Sequence, residues 1–215
     1  MHLDKIIDLT AEIYDNVPTM PMDPKCSVSE HCNLDTLGYN LTRVTFSTHQ
    51  GTHVDAPFHF FYDGETVDKI DLSRFIVRAI KVDLTYKKPK EAITVKDLLE
   101  YEHYVDKGLS LILHTGWDRM LSKKEYLSDF PYISVELAKW FAQKKIKLLG
   151  LDLPCPNIYD WKTVHETLLG SSVLIVEGLV NLGELGDKEF TFFAAPLKIR
   201  GRDGSPVRAI AVMNE

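Results

Sequence analysis

One short stretch, residues 49–60, holds an unusual concentration of polar side chains and constrains the fold more than any other. Three histidines and an aspartate fall within eleven positions. If the stretch is extended from residue 53 onward, side chains alternate between two faces, and His53, Asp55 and His59 share one of them. The opposite face is apolar and can anchor the strand in a core: Val54, Ala56, Phe58 and Phe60. The polar face is therefore predicted to converge on a cavity.

A helical reading of this stretch is disfavoured. Gly51 and Pro57 both oppose helix, and the two neighbours of His53 are β-branched. His49 and His53 are four residues apart, as in the HExxH zinc helices, but no glutamate follows the first histidine. A turn at Gln50-Gly51 is instead expected to bring His49 round, because glycine tolerates positive φ.

The residue types in this stretch suit a transition metal. Imidazole nitrogen and carboxylate oxygen are ligands for zinc, manganese or iron(II). The alternative is a strand with hydrogen-bonded, partly buried histidines, but three histidines and an aspartate on one face would be costly to desolvate without a metal or a catalytic role. Thiolate zinc is not expected, since Cys26, Cys32 and Cys155 form no CxxC pair.

Length and charge limit the class of protein. The 215 residues are enough for one sizeable domain, predicted to span 1–215. A net charge of −6 and a pI near 5.8 argue against a nucleic-acid or anionic-membrane partner. Neither a signal peptide nor a membrane-length apolar run is visible, and three unpatterned cysteines suit a reducing compartment, so a cytoplasmic protein is expected.

Periodicity along the chain predicts a mixed α/β domain with helices packed outside a curved sheet. Strands are predicted at 5–10, 39–48, 73–84, 109–114, 146–152, 173–177, 190–193, 197–200 and 207–213. Helices are predicted at 94–100, 134–143 and 161–169. Residues 17–24 contain three prolines and are expected to form an extended loop, and residues 202–205 are expected to turn a final hairpin.

Two further polar residues lie in the second half of the chain. His165 falls on the last predicted helix, and Glu177 ends the apolar strand that follows it. A carboxylate at the end of a buried strand needs a partner. The alternative is that Glu177 lies at a solvated strand end.

The pattern His-x-Gly-Thr-His-x-Asp-x-Pro-x-His-Phe at 49–60 resembles the signature of the cyclase, or kynurenine-formamidase-like, family of metal-dependent hydrolases. A second segment is similar to the family as well, with a histidine on a helix twelve residues before a glutamate that ends an apolar strand, as in His165 and Glu177. The opening Asp8-Leu9-Thr10 and the proline-rich loop also resemble the family's N-terminal region.

The resemblance implies one or two divalent ions, zinc or manganese, held by five residues: His49, His53, Asp55, His165 and Glu177. It further implies that His59 is the catalytic acid/base, that the fold is a swivelling β/β/α domain, and that the protein forms homodimers or homotetramers acting on a small molecule.

The activity implied is hydrolysis of an aryl formamide such as N-formylkynurenine. Two alternatives stay open: ring opening of a cyclic amide or lactone, and a metal-binding protein without turnover. Cupin-like oxygenases are not favoured, because their β-barrel repeats are not seen in the sequence. One departure bears on substrate, since the family's N-formylkynurenine hydrolases carry a tryptophan in the proline-rich loop where this chain has Met20.

Overall fold

The computed structural model describes residues 5–213, in which the chain forms thirteen strands and four α-helices. The strands are β1 (Lys5–Asp8), β2 (Ser27–Cys32), β3 (Leu41–Thr45), β4 (His53–Asp55), β5 (Ile76–Asp83), β6 (Ala92–Ile93), β7 (Ser110–His114), β8 (Tyr132–Ile133), β9 (Leu148–Leu151), β10 (Leu174–Glu177), β11 (Phe190–Phe193), β12 (Gly204–Pro206) and β13 (Ile210–Met213). The α-helices are α1 (Leu34–Leu37), α2 (Glu102–Asp106), α3 (Val135–Lys144) and α4 (Trp161–Gly170). None of the helices within 5–213 is long and apolar enough to cross a membrane.

Nine of these strands form one curled, mixed sheet in the order β1-β13-β11-β5-β7-β9-β10-β4-β12. Strands β5, β7, β9 and β10 run parallel, and β4 and β12 add antiparallel strands at one edge. Parallel strands are covered on both faces, which explains why β7, β9 and β10 are buried along their whole length. The mixed α/β fold predicted from the sequence is confirmed.

Two apolar clusters lie on the two faces of the sheet, and alternate residues of one strand feed both. Leu111 and Leu113 of β7 join the cluster that contains α3 and α4, whereas Ile112 joins the cluster on the other face. Helix α3 begins at the predicted Ser134 cap, whose Oγ accepts a hydrogen bond from the Leu137 amide at 3.2 Å. Helices α3 and α4 therefore pack on one face of the sheet, as predicted.

Several predicted elements differ in the structure. Residues 197–200 form no strand, and the predicted hairpin turn at 202–205 is wrong, because Gly204–Pro206 is a strand that pairs with β4. The helix expected at 94–100 is a 3-10 helix, Val95–Tyr101, although Thr94 and Asp97 form the predicted capping box. Strand β3 is shorter than predicted and exposed along its length, because it pairs only with β2, outside the main sheet.

Candidate metal centre

A cavity of about 380 Å³ opens beside the paired strands β4 and β10 of the main sheet. Its lining includes His53 and Asp55 from β4, Glu177 from the end of β10 and His165 from α4. The loop before β4 adds His49 and the 3-10 helix after β4 adds His59, which completes the six polar site residues predicted from the sequence. The structure thus brings together side chains that are up to 128 residues apart in the chain.

The turn before β4 is held tightly against the end of β10. Gly51 has φ +62°, as expected for the residue that brings His49 round, and Gly178 has φ +64°. A Cβ on Gly178 would lie 2.6 Å from the Gly51 carbonyl oxygen, so no side chain fits there. Thr52 donates from Oγ1 to the Gly178 carbonyl at 2.6 Å. These contacts set Glu177 directly opposite His53 in the β4–β10 ladder.

The hydrogen bonds of two histidines determine which ring nitrogen faces the cavity. His53 Nδ1 lies 2.9 Å from the Gly51 carbonyl oxygen, and His165 Nδ1 lies 2.6 Å from the Trp161 carbonyl oxygen. A carbonyl can only accept, so each Nδ1 carries the proton. In a neutral ring the remaining Nε2 is then a lone pair, which is the state in which histidine binds a metal.

These two Nε2 atoms face two buried carboxylates. His53 Nε2 is 3.4 Å from both Asp55 Oδ1 and Glu177 Oε2, and His165 Nε2 is 3.4 Å from Glu177 Oε1. Such distances exceed a good hydrogen bond of about 2.9 Å but match the roughly 3.4 Å between two ligands of one tetrahedral ion. Glu177 Oε1 is buried and has no hydrogen-bond partner within residues 5–213. The donor set therefore fits a divalent cation.

The pKa shifts in the cluster reflect an excess of negative charge. Burial alone would lower the pKa of His53 and of His165, yet the carboxylates of Glu177 and Asp55 raise both, and that of His53 well above its usual range. Burial opposes ionisation of Asp55, but the neighbouring His49 and His53 hold the pKa of its carboxyl well below normal. The cluster attracts protons in the way that it would attract a metal ion.

His59 does not lie where the strand pattern places it. Strand β4 ends at Asp55, and the chain then turns through the 3-10 helix Pro57–His59, so the prediction that His59 continues the polar face of a strand is wrong. Pro57 causes the change, since its fixed φ suits the first position of a helical turn. The turn stacks the His59 ring on the His49 ring, with centroids 3.9 Å apart.

His59 is also distinguished from the other histidines by its charge. Burial, helped by the neighbouring His49 and His165, lowers its pKa, and the carboxylates of Asp55 and Glu177 only partly oppose this. His59 is therefore a neutral imidazole at neutral pH, able to accept a proton. His49 differs, because Asp55 and Asp203 overcome the effect of burial and raise its pKa to about 9.

Asp203 is a site residue that the sequence reasoning missed. Its Oδ2 lies 2.6 Å from His49 Nε2 and 3.8 Å from His59 Nδ1. In the sequence, the Asp-Gly pair at 203–204 indicates a turn. In the structure, Asp203 immediately precedes β12 at the edge of the main sheet. Only the pairing of β12 with β4 reveals its position next to His49.

The outer wall of the cavity is apolar and aromatic. Met20 lies in this wall, and Pro21 and Cys155 also line the cavity. Phe60 and Trp161 form a tilted pair with centroids 5.8 Å apart. Trp161 lines the cavity with 53% of its surface exposed, because it is the first residue of α4.

Comparisons with known proteins agree with this architecture. The family model for "Putative cyclase" matches residues 7–157. The kynurenine formamidase of Bacillus cytotoxicus is 30% identical over 98% of both chains. A solved structure described as a potential metal-dependent hydrolase with cyclase activity has a TM-score of 0.81 at 25% identity, covering 98% of this chain and 99% of the other. Isatin hydrolase A from Labrenzia aggregata has a TM-score of 0.87 at 23% identity, covering 98% and 94%, a likeness of fold.

Proposed function

The chain belongs to the cyclase family, and we propose that it is a metal-dependent hydrolase that cleaves the C–N bond of an aryl formamide. The proposal rests on one arrangement, in which the Nε2 atoms of two histidines face two buried carboxylates, one with an oxygen that lacks a hydrogen-bond partner. The kynurenine formamidase relative supplies the substrate class.

The ligands of the ion in this proposal are the five residues named by the family resemblance: His49, His53, Asp55, His165 and Glu177. The ion itself would be zinc or manganese, since the set mixes imidazole with carboxylate. When bound, such an ion lowers the pKa of water towards about 7 and polarises an amide carbonyl. Asp55 contacts both His49 and His53, and Glu177 contacts both His53 and His165, so these two carboxylates would hold one ion or a pair.

His59 is proposed to move the proton. Hydrolysis adds water to the formyl carbon, breaks the C–N bond and releases formate and an aryl amine, whose nitrogen must gain a proton as it leaves. The neutral His59 ring can take a proton from the water and return it to the nitrogen. Its partial exposure at the inner end of the cavity supports contact with substrate.

The aryl ring is proposed to rest on the outer wall, against Met20, Phe60 and Trp161. Aromatic rings prefer offset or edge contacts with other rings, and methionine adds a softer contact. The wall excludes water from one side of the substrate and leaves the formyl group directed towards the polar cluster.

Two further parts of the proposal concern the state of the protein. Association into homodimers or homotetramers is supported by the exposed apolar residues Leu41 and Val44 on the β2–β3 hairpin, and sedimentation of the purified protein tests it. A cytoplasmic site of action is supported by the three free cysteines, because reduced thiols persist in reducing compartments.

The deciding experiment measures metal and activity together. Protein stripped with a chelator is reloaded with zinc, manganese or cobalt and assayed on N-formylkynurenine, a simple aryl formamide and isatin. We expect formamide hydrolysis that depends on metal, and a higher melting temperature on loading. A fully loaded protein that opens isatin but leaves formamides intact moves the function to ring opening. A protein that binds metal without any turnover is a binding protein.

A further inference from the structure

The carboxylate of Asp203 reaches His49 from a strand near the far end of the chain. Asp203 Oδ2 lies 2.6 Å from His49 Nε2, while Asp55 Oδ1 lies 2.8 Å from Nδ1 of the same ring. Thr48 donates from Oγ1 to the same oxygen, Asp203 Oδ2, at 2.9 Å and helps to hold the carboxylate in place. His49 is thus enclosed between two carboxylates, one inside the cluster and one outside it.

The backbone around Asp203 is built to make this approach. Its carbonyl accepts the Ala56 amide at 2.8 Å, and Gly204 pairs directly with Asp55 in the β12–β4 ladder. A Cβ on Gly204 would lie 2.7 Å from the Val54 carbonyl oxygen and 3.0 Å from His49 Cε1. Glycine is therefore required at 204, and its absence of a side chain allows the strand to pass close beside the His49 ring.

We propose that Asp203 is a positioning residue, which fixes the His49 ring so that Nδ1 is the nitrogen presented to the ion beside Asp55. A neutral imidazole has one N–H and one lone pair. Both ring nitrogens of His49 lie at hydrogen-bond distance from a carboxylate. An ion beside Asp55 would take the place of the Nδ1 proton, while the hydrogen bond from Nε2–H to Asp203 keeps the other proton on Nε2. A carboxylate that accepts from a ligating histidine in this way fixes its tautomer and strengthens it as a ligand.

This arrangement is the reverse of that in the other two histidines of the cluster. His53 and His165 each donate from Nδ1 to a backbone carbonyl and present Nε2. His49 has no backbone carbonyl as partner and uses a side-chain carboxylate instead. The role of Asp203 rests on the metal centre of the proposed function, but it can be measured without any substrate.

The test uses Asp203→Ala and the near-isosteric Asp203→Asn, with Arg202→Ala, a change at the adjacent exposed residue, as a control. Zinc dissociation constants are measured by competition with a chelating dye, and ions per chain by elemental analysis. We expect Asp203→Ala to weaken zinc binding by about 10- to 100-fold at an unchanged number of ions, and Asp203→Asn to weaken it less, since the amide oxygen still accepts from Nε2–H. Arg202→Ala should bind as the unaltered protein does.

A nuclear magnetic resonance measurement reads the tautomer directly. In zinc-loaded protein labelled with ¹⁵N-histidine, long-range proton–nitrogen spectra should show His49 protonated at Nε2, and His53 and His165 protonated at Nδ1. Protonation of His49 at Nδ1 overturns the proposal. So does zinc binding within threefold of the unaltered protein in Asp203→Ala, or the loss of a whole ion per chain, which would make Asp203 a ligand. Failure of formamide hydrolysis touches none of these outcomes.

Discussion

Two adjacent parallel strands each lead into a buried acid, and the two acids have different surroundings. Asp152 follows β9 and is fully buried, and Glu177 ends β10 with 3% of its surface exposed. The Asp152 carboxylate accepts three hydrogen bonds at 2.7–2.8 Å, from the Thr115 amide, the Thr115 hydroxyl and the Gly116 amide. Glu177 instead faces two imidazole nitrogens, and one of its oxygens has no hydrogen-bond partner in the part of the chain that the structure describes.

The difference teaches that burial of an acid does not identify a metal ligand. Asp152 is surrounded by donors, so its site is complete, and it ties the end of β7 to the end of β9. Glu177 is surrounded by nitrogens that can offer lone pairs, so its site is complete only with a cation or with added protons. Mutation of each acid in turn tests this distinction between Asp152 and Glu177.

The largest effect is expected from Glu177→Gln. The amide removes one charge and one strong ligand, so metal affinity should fall by more than about 100-fold, because even indirect partners of ligands account for 10- to 100-fold. Hydrolysis should fall with it. The measurement is a zinc titration of Glu177→Gln and, for comparison, of Asp152→Asn, which should keep its metal. Equal zinc affinities in the two variants would contradict the assignment of Glu177, and not Asp152, as a metal ligand.

The second effect separates metal binding from proton transfer among the polar residues of the cavity. His59→Ala should lower turnover by about 100-fold or more while metal content stays unchanged, because His59 moves a proton and is not a ligand. Asp55→Ala should lose both, since Asp55 contacts His49 and His53. Metal analysis and steady-state kinetics are compared with His103→Ala, an exposed histidine outside the site. Loss of metal in His59→Ala would contradict this division.

A third effect concerns Asp152 and stability. Asp152→Ala should lower the free energy of unfolding by about 1–3 kcal/mol, because the Thr115 and Gly116 donors lose their acceptor. Burial raises the pKa of Asp152 to about 7 against the hydrogen bonds that lower it, so the folded protein holds a proton that the unfolded chain releases near 3.8. The stability from this group is therefore full below about pH 4 and declines as pH rises to 7.

Asp152→Asn removes that titration and keeps an acceptor for the backbone amides. Urea unfolding of chelator-treated protein at pH 5 and pH 8 measures the change. The unaltered protein should lose more stability than Asp152→Asn between the two values. An equal change in both proteins would show that Asp152 does not titrate between pH 5 and pH 8. The Asp152 carboxyl would then keep the same charge at both pH values.

The smallest effect is expected at the apolar wall of the cavity. Met20→Trp should lower the KM for N-formylkynurenine by about 2- to 10-fold with little change in kcat, because an indole adds ring contact to substrate and transition state alike. Leu72→Trp, an exposed site remote from the cavity lining, controls for the added tryptophan. A change in kcat alone would contradict this prediction and would indicate that Met20 acts close to the reacting atoms.

The sequence predicted some of these roles and could not predict others. The signature at 49–60 and the spacing of His165 and Glu177 predicted the polar residues that the structure brings together. Asp152 and Glu177 are indistinguishable locally, since each follows an apolar strand. Their difference comes from what the neighbouring strand supplies, a threonine and amide groups in one case and His53 in the other.

The remaining errors share a physical cause. Asp203 approaches His49 only because the edge strand β12 pairs with β4, about 150 residues earlier in the chain, and local turn chemistry carries no information about that pairing. His59 was placed on a strand because alternation continues past Asp55, but Pro57 starts a tighter turn. In the first case a strand distant in sequence overrode the local pattern, and in the second a single proline did.

The antiparallel ladder between β4 and β10 has a consequence for how quickly a metal can enter. Three of the proposed ligands, His53, Asp55 and Glu177, stand on backbone that is hydrogen-bonded between two other strands, β9 and β12. Their amide hydrogens should exchange slowly even in chelator-treated protein, because opening the ladder would break the sheet. Loading should therefore follow single-step kinetics limited by collision and ligand exchange, without a folding phase.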